Sequence, residues 1–335
     1  MENKSAKSQD GRWLADMPVQ SENIAFKPDE LIACTKCGKS NPPNRASCLY
    51  CATPIELRED RRRQAKLNLR PLENWEKGFN IVFVPPADEP DAASISRYLA
   101  IDVQMLQPML AAARPIPIAR IESEAEANIA VQQLANFGLN ASVVSDEMLQ
   151  ADKAPTRLRE IEFRDDSIVV ISFNTGEKRE IGHGDLMLIV TGSVVESKTE
   201  SVEKQKKKET KLLHEMETTS DERLIDVYCA GDALGYRIPA KGFDFSCLGA
   251  EKGLLAQPNM ERLKEKLLDF VPAVRLVDEY SAIMGPLSAV WEIERQKDFH
   301  GLTRTGIGKA GFANVARTSN LTQFTKYSRL QRHLL

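Results

Sequence analysis

Much that would name a chemistry is missing from this sequence of 335 residues. No apolar run approaches the roughly 18 residues that a bilayer-spanning helix needs. The opening Met1-Glu2-Asn3-Lys4-Ser5 leads into a polar stretch without the apolar centre of a secretory leader, which predicts a chain that is not exported. The four histidines (His183, His214, His300 and His333) are scattered at no ligand spacing, and His183-Gly184-Asp185 reads as a solvent-facing turn. There is no Gly-x-Ser-x-Gly elbow, no dinucleotide fingerprint and no helical pair of carboxylates. Gly306-Ile307-Gly308-Lys309-Ala310 fails as a phosphate loop: it lacks the spacer before Gly-Lys, the Ser or Thr after the lysine, and a preceding strand. A net charge of −3 excludes a globally basic nucleic-acid binder. These absences favour a binding protein over an enzyme.

Cysteine is sparse too, with six residues, but four of them are clustered. Cys34-Thr35-Lys36-Cys37-Gly38 and Cys48-Leu49-Tyr50-Cys51 are two C-x2-C pairs, which together supply the four thiolates of a tetrahedral Zn2+. Gly38 suits the positive φ of a tight knuckle, and Asn41-Pro42-Pro43-Asn44 is turn chemistry that reverses the chain between the pairs. So short a segment has too few apolar residues for a core of its own and needs a metal or disulfides. Two disulfides are the competing assignment; the compact pattern and the missing leader favour the metal. Cys229 and Cys247 stand alone in apolar surroundings and read as small buried hydrophobes, which fits a reducing, cytoplasmic location.

Cys34, Cys37, Gly38, Cys48 and Cys51 resemble a short zinc ribbon of the kind at the N-terminus of many bacterial multidomain proteins, over residues 31–57. Thr35 stands where many ribbons have Pro, and Ala52 where many have Gly. The resemblance implies that Cys34, Cys37, Cys48 and Cys51 ligate one structural Zn2+. With cysteine at all four positions the site is closed to substrate.

Around the ribbon the chain divides as follows. Residues 1–30 read as a polar arm, in which Trp13 and Leu14 could dock on a neighbouring surface. Residues 58–76 read as a charged helical connector; Arg58, Arg61, Arg62, Arg63, Lys66 and Arg70 make it a solvated face, or a phosphate contact. Residues 77–148 form a small α/β unit. Phe79–Val84 is a buried-type strand, and helices follow at 92–99 and 103–113. Ile116-Pro117-Ile118-Ala119-Arg120 is a strand placed at an edge by its proline. Ser123 caps a helix that Gly138 ends, and Ala141–Ser145 is a third strand. That order, with Leu106–Ala113, Glu126–Val144 and the Asn136-Phe137-Gly138-Leu139 turn, resembles the C-terminal domain of the bacterial ribosomal stalk protein. That domain recruits translation factors through lysines on its first helices. Here Asp91–Ala113 carries only Arg97, so the factor-binding role does not carry over.

After a linker at 149–158, the pattern changes to short strands in 159–298: 161–164, 168–173, 178–181, a long run at 186–195, then 224–228, 236–238 and 243–245. Ser197–Ser220, with Lys204, Lys206, Lys207, Lys208 and Lys211 among glutamates, reads as a flexible loop. Helices are predicted at 258–270 and 281–295. The succession of strands closed by a helix resembles the pleckstrin-homology-like fold over about 159–272. Its lipid-binding members carry a basic pattern between the first two strands. Here that turn is Arg164-Asp165-Asp166-Ser167, which implies a peptide or protein ligand instead.

The tail, 299–335, has no acidic residue. From Leu321 a helix would place Leu321, Phe324, Tyr327, Leu330, Leu334 and Leu335 on one side and Lys326, Arg329, Arg332 and His333 on the other. Such a helix packs back as a core helix, enters a partner's groove, or lies on an anionic membrane or nucleic acid. The predicted class is thus multidomain α+β: zinc ribbon, small α/β unit, then a pleckstrin-homology-like antiparallel β domain with C-terminal helices. The predicted function is a non-enzymatic, zinc-binding adaptor for protein partners. The alternative is a nucleic-acid- or ribosome-associated protein using the ribbon, Arg61–Arg63 and the tail.

Overall fold

The computed structural model describes residues 31–43, 45, 47–55, 72–85, 90–206, 209–306 and 309–335, with side chains except at 203–214 and 299–313. The arm at 1–30 and the basic run of the connector, Arg58 to Arg70, lie outside the described residues. The chain divides into two compact units, Met1–Ala65 and Lys66–Leu335.

In the first unit, β1 (Ile32–Ala33) and β2 (Ser40–Asn41) pair antiparallel, and a bridge from Ser47 to Pro54 closes the second turn.

The second unit begins with β3 (Phe79–Phe83), α1 (Ala92–Leu99), α2 (Val103–Ala111), β4 (Ile116–Ile121), α3 (Glu124–Ala135), β5 (Ala141–Ser145) and a single turn α4 (Asp146–Leu149). The sheet is antiparallel throughout, in the order β4-β3-β5. Pro117 falls on the edge strand β4, opposite a bulge at Ile81/Val82, where its missing N–H is tolerated. Asp91, Asp102 and Ser123 accept from the first-turn amides of α1, α2 and α3. Gly138, at φ +77°, turns the chain out of α3.

A mostly antiparallel sheet follows: β6 (Thr156–Phe163), β7 (Ser167–Ser172), β8 (Lys178–Gly182), β9 (Leu186–Lys206), β10 (Glu209–Cys229), β11 (Tyr236–Pro239), β12 (Arg275–Val277), β13 (Glu294–Gly306) and β14 (Lys309–Ser319). Its order is β13-β14-β9-β10-β11-β6-β7-β8, with β12 beside β9. Two joins are parallel, β11 to β6 and β12 to β9. Helices α5 (Ala256–Phe270), α6 (Tyr280–Leu287) and α7 (Leu321–His333) complete the unit.

Strand β9 is buried on both faces near its start, as its unbroken apolar run requires. Ile189 joins Leu158, Ile225, Ile238, Leu263 and Leu267 under α5. Leu188 and Val190 face the other way, into a core shared by Ile81, Ile118, Leu134, Tyr280, Trp291, Phe324 and Leu330. The same core therefore spans the linker that the sequence placed between 77–148 and 159–298.

Four sequence expectations are corrected. Residues 197–206 and 209–220 are the outer parts of β9 and β10, not a flexible loop, because each strand finds ladder partners, β9 on both sides. Residues 299–306 and 309–319 belong to β13 and β14, which pair with each other and extend the large sheet instead of forming part of a separate tail. Helix 281–295 stops at Leu287, where Gly285 and Pro286 end it and a turn leads to the buried Trp291. Phe243–Phe245 is no strand: Asp244 caps a 3-10 segment, Phe245–Glu251.

The terminal helix α7 also departs from the amphipathic reading, since Gln323 to Gln331 are buried on every side. Several of its polar residues are met by partners. Arg329 donates to the carbonyls of Ala233 (3.1 Å) and Lys153 (3.2 Å). Gln331 reaches the Pro115 carbonyl and Gln323 that of Trp291. Ser328 bonds the Tyr228 hydroxyl at 2.7 Å. Packing as a core helix is what the structure shows for it.

Candidate metal centre

Each cysteine pair sits on a tight turn whose backbone closes on itself. The Gly38 amide donates to the Cys34 carbonyl and the Ala52 amide to that of Cys48, both at 2.9 Å. Both closing residues lie in the left-handed region, Gly38 at φ +70° and Ala52 at φ +55°. Ala52 holds glycine's usual place despite its Cβ, a strained choice costing on the order of 1 kcal/mol.

Between the knuckles lies Asn41, fully buried and not singled out in the sequence except as turn chemistry. Its Oδ1 accepts from the Leu49 amide and its Nδ2 donates to the Lys39 carbonyl, both at 2.8 Å. One side chain thus pins the second knuckle to the first. Lys39 also lies 4.3 Å above the Tyr50 ring.

The four Sγ atoms of Cys34, Cys37, Cys48 and Cys51 all lie within 4.8 Å of one another. Cys34 and Cys51 are 3.6 Å apart and Cys37 and Cys48 3.5 Å. A disulfide would bring two sulfurs to about 2.0 Å. A tetrahedron of sulfurs around Zn2+, at about 2.3 Å each, has edges of about 3.8 Å, close to what is found. All four thiols are unbridged. The cluster fits a zinc ribbon-like site, compatible with one zinc ion.

Charge in the cluster supports a cation. Desolvation opposes the Cys48 thiolate, but the amides of Tyr50 and Cys51 outweigh it and lower the thiol to about 6. The Thr53 hydroxyl and amide lower Cys51. For Cys37 the Lys39 amide works the same way, yet desolvation and the neighbouring sulfurs prevail and push it up to about 12. Several thiolates this close repel one another, and a divalent ion relieves that repulsion.

The remaining cysteines do not join the site. Burial pushes Cys229 up to about 11 and raises Cys247, which makes both poor nucleophiles. His183 packs edge-on against Phe270, its ring 4.1 Å away. Gly306 and Lys309 pair across the β13–β14 hairpin, unlike a phosphate loop between strand and helix. Among the described residues no helix is long and apolar enough to cross a membrane. Comparisons with protein-family models, curated proteins and solved structures find no match for this chain, so the stalk-like and pleckstrin-homology-like resemblances rest on element order alone.

Proposed function

We propose that the chain is a zinc-stabilised, non-enzymatic adaptor that holds protein partners in a reducing compartment. The convergence of four Sγ atoms within 4.8 Å carries this reading. In it Cys34, Cys37, Cys48 and Cys51 each act as a thiolate ligand, and Asn41 fixes the distance between the two pairs. A bound ion supplies a cross-link where the segment has almost no core, and four sulfur ligands leave no open position for catalysis.

The experiment has two arms. Chelator added to the full-length protein is expected to expose the amides of 31–55 to exchange while those of 77–335 stay protected. Unchanged protection of 31–55 overturns the zinc assignment. In the second arm, the protein captures partners from native lysate treated with nuclease, at two salt concentrations. A protein retained at the higher salt and lost with Cys37→Ser supports the adaptor; retention of nothing under those conditions refutes it.

A further inference from the structure

The turn ahead of β3, the single turn of α4 and helix α7 border a cleft of about 490 Å³, lined by Trp75, Asp146 and Lys326 among others. Arg120 ties two of these walls together. Its guanidinium donates to the Leu72 carbonyl at 3.0 Å, to the Glu76 carbonyl, and to the Asp146 carboxylate at 2.9 Å. Asn80 extends the support inward: it donates to Asp146 at 2.9 Å and accepts from the buried Trp291 indole at 2.8 Å. The cleft is therefore built into the fold, as small-molecule sites usually are.

Lys326 stands in it without a partner. The residue is 5% exposed, and its Nζ makes no hydrogen bond among the described residues. Both oxygens of Asp146 are taken, by Arg120, Gly78 and Asn80. On the same helix Tyr327 Oη, Arg329 Nε and Gln331 Oε1 are fully enclosed and unpaired. The Lys326 Nζ is unpaired but not enclosed, so its opening is the cleft it lines. Burial pushes the amine down from 10.5 to about 8, with Asp146 opposing and Arg120 assisting. At pH 7.5 about a quarter of it is then neutral, against about one in a thousand for an exposed lysine.

We propose that Lys326 is a covalent binding site for an aldehyde carried on a flat apolar body, captured as an imine beside Trp75. The neutral amine attacks the carbonyl carbon, and one N–H proton passes to the former carbonyl oxygen as the C–N bond forms. The hydroxyl then leaves as water with the second N–H proton, and C=N remains. The step needs no oxidant or reductant. An imine nitrogen is a much weaker base than an amine, so capture removes the charge that burial disfavours. Trp75 is 80% exposed at the same cleft, an apolar ring free to cover such a body. An anion is the poorer match, because Glu76, Asp146, Glu147 and Asp152 line the cleft against Lys77, Lys153 and Lys326, and Lys77 is tied to Glu147. This site stands independently of the protein-partner reading and of the zinc ribbon.

The test incubates the full-length protein at pH 7.5 with benzaldehyde and sodium cyanoborohydride, which reduces an imine to stable benzyl-lysine, and maps the product by peptide mass spectrometry. Capture at Lys326 is expected to be at least about tenfold faster than at Lys241, an exposed lysine elsewhere on the same unit. Trp75→Ala, at an exposed position, is expected to slow capture at Lys326 by about threefold or more and to leave Lys241 unchanged. Equal rates at the two lysines, or a Lys326 rate unaffected by Trp75→Ala, overturn the proposal. So does a Lys326 that stays unmodified while inorganic phosphate raises the melting temperature of wild type and not of Lys326→Met, which would make the cleft an anion site.

Discussion

Lys326 is the least comfortable residue of the terminal helix, and replacing it with methionine should stabilise the protein. The side chain is on α7, 5% exposed, with its Nζ 6.0 Å from the centre of the Trp291 ring. Burial lowers its amine from 10.5 to about 8; Asp146 works against that shift and Arg120 with it. Asp146 cannot give Lys326 a full counter-charge, because its carboxylate already takes Arg120 and the Gly78 amide. The other charged groups of the cleft that Lys326 lines are Glu76, Lys77, Glu147, Asp152 and Lys153.

A drop from 10.5 to about 8 corresponds to about 3 kcal/mol of disfavour for the ammonium in the folded state. Because the folded state binds the proton less tightly than the unfolded chain, the cost is present in full below about pH 8. It fades as pH rises through 10.5, above which the amine is neutral in both states. Lys326→Met, of similar length and apolar, should therefore unfold in urea later than wild type at pH 7, by up to about 3 kcal/mol. The difference should shrink at pH 9 and nearly vanish at pH 10.5. Taking the difference between the two proteins at each pH cancels the other titrating groups. A variant less stable than wild type at pH 7, or a difference flat in pH, would refute the reasoning and show the ammonium to be paired.

Three further substitutions test other parts of the fold. Asn41→Ala leaves the Leu49 amide and the Lys39 carbonyl without their partner, and a loss of about 1–2 kcal/mol should appear as roughly tenfold weaker zinc retention in a chelator titration. Asp226→Ala strands the buried Arg237, which donates twice to that carboxylate at 2.7 Å, and should cost about 3–5 kcal/mol in urea unfolding; adding Arg237→Met should restore much of it. Gly192→Ala puts a Cβ within 2.5 Å of the Phe324 ring and 2.7 Å of Tyr280, so a loss of about 1–3 kcal/mol is expected, recovered in part by Phe324→Leu.

What the sequence revealed follows from where its signals are local. The cysteines announce their own spacing. Asp91, Asp102 and Ser123 mark helix starts by side chain alone, and Pro117 marks an edge. The outer parts of β9 and β10 were illegible because they give no alternation of apolar and polar, and β14, the other ladder partner of β9, lies a hundred or so residues away in the chain. Polar composition was mistaken for looseness. Asn41 was hidden for a related reason: an Asn before Pro42 signals a turn, and nothing local shows that its amide spans both knuckles. Helix α7 failed differently. Its periodicity is real, but a buried polar face looks the same in sequence as a solvated one until the partners that cover it are known.

Those partners explain why so many polar groups are retained in the centre of the unit. Gln323, Thr325, Ser328, Arg329 and Gln331 bond six residues: Trp291, Arg237, Tyr228, Ala233, Lys153 and Pro115. A wholly apolar helix could slide by one residue against that core at little cost. Here any slip leaves several buried groups unpaired at about 1–3 kcal/mol each, so the register of α7 is fixed. Asn320, just ahead of it, accepts from the Val195 amide at 2.7 Å and donates to the Ser193 carbonyl. The strand it holds there is β9, next to Glu196, where β14 begins to pair with it. The last helix therefore holds both the core that the two sheets share and the start of the β9–β14 pairing.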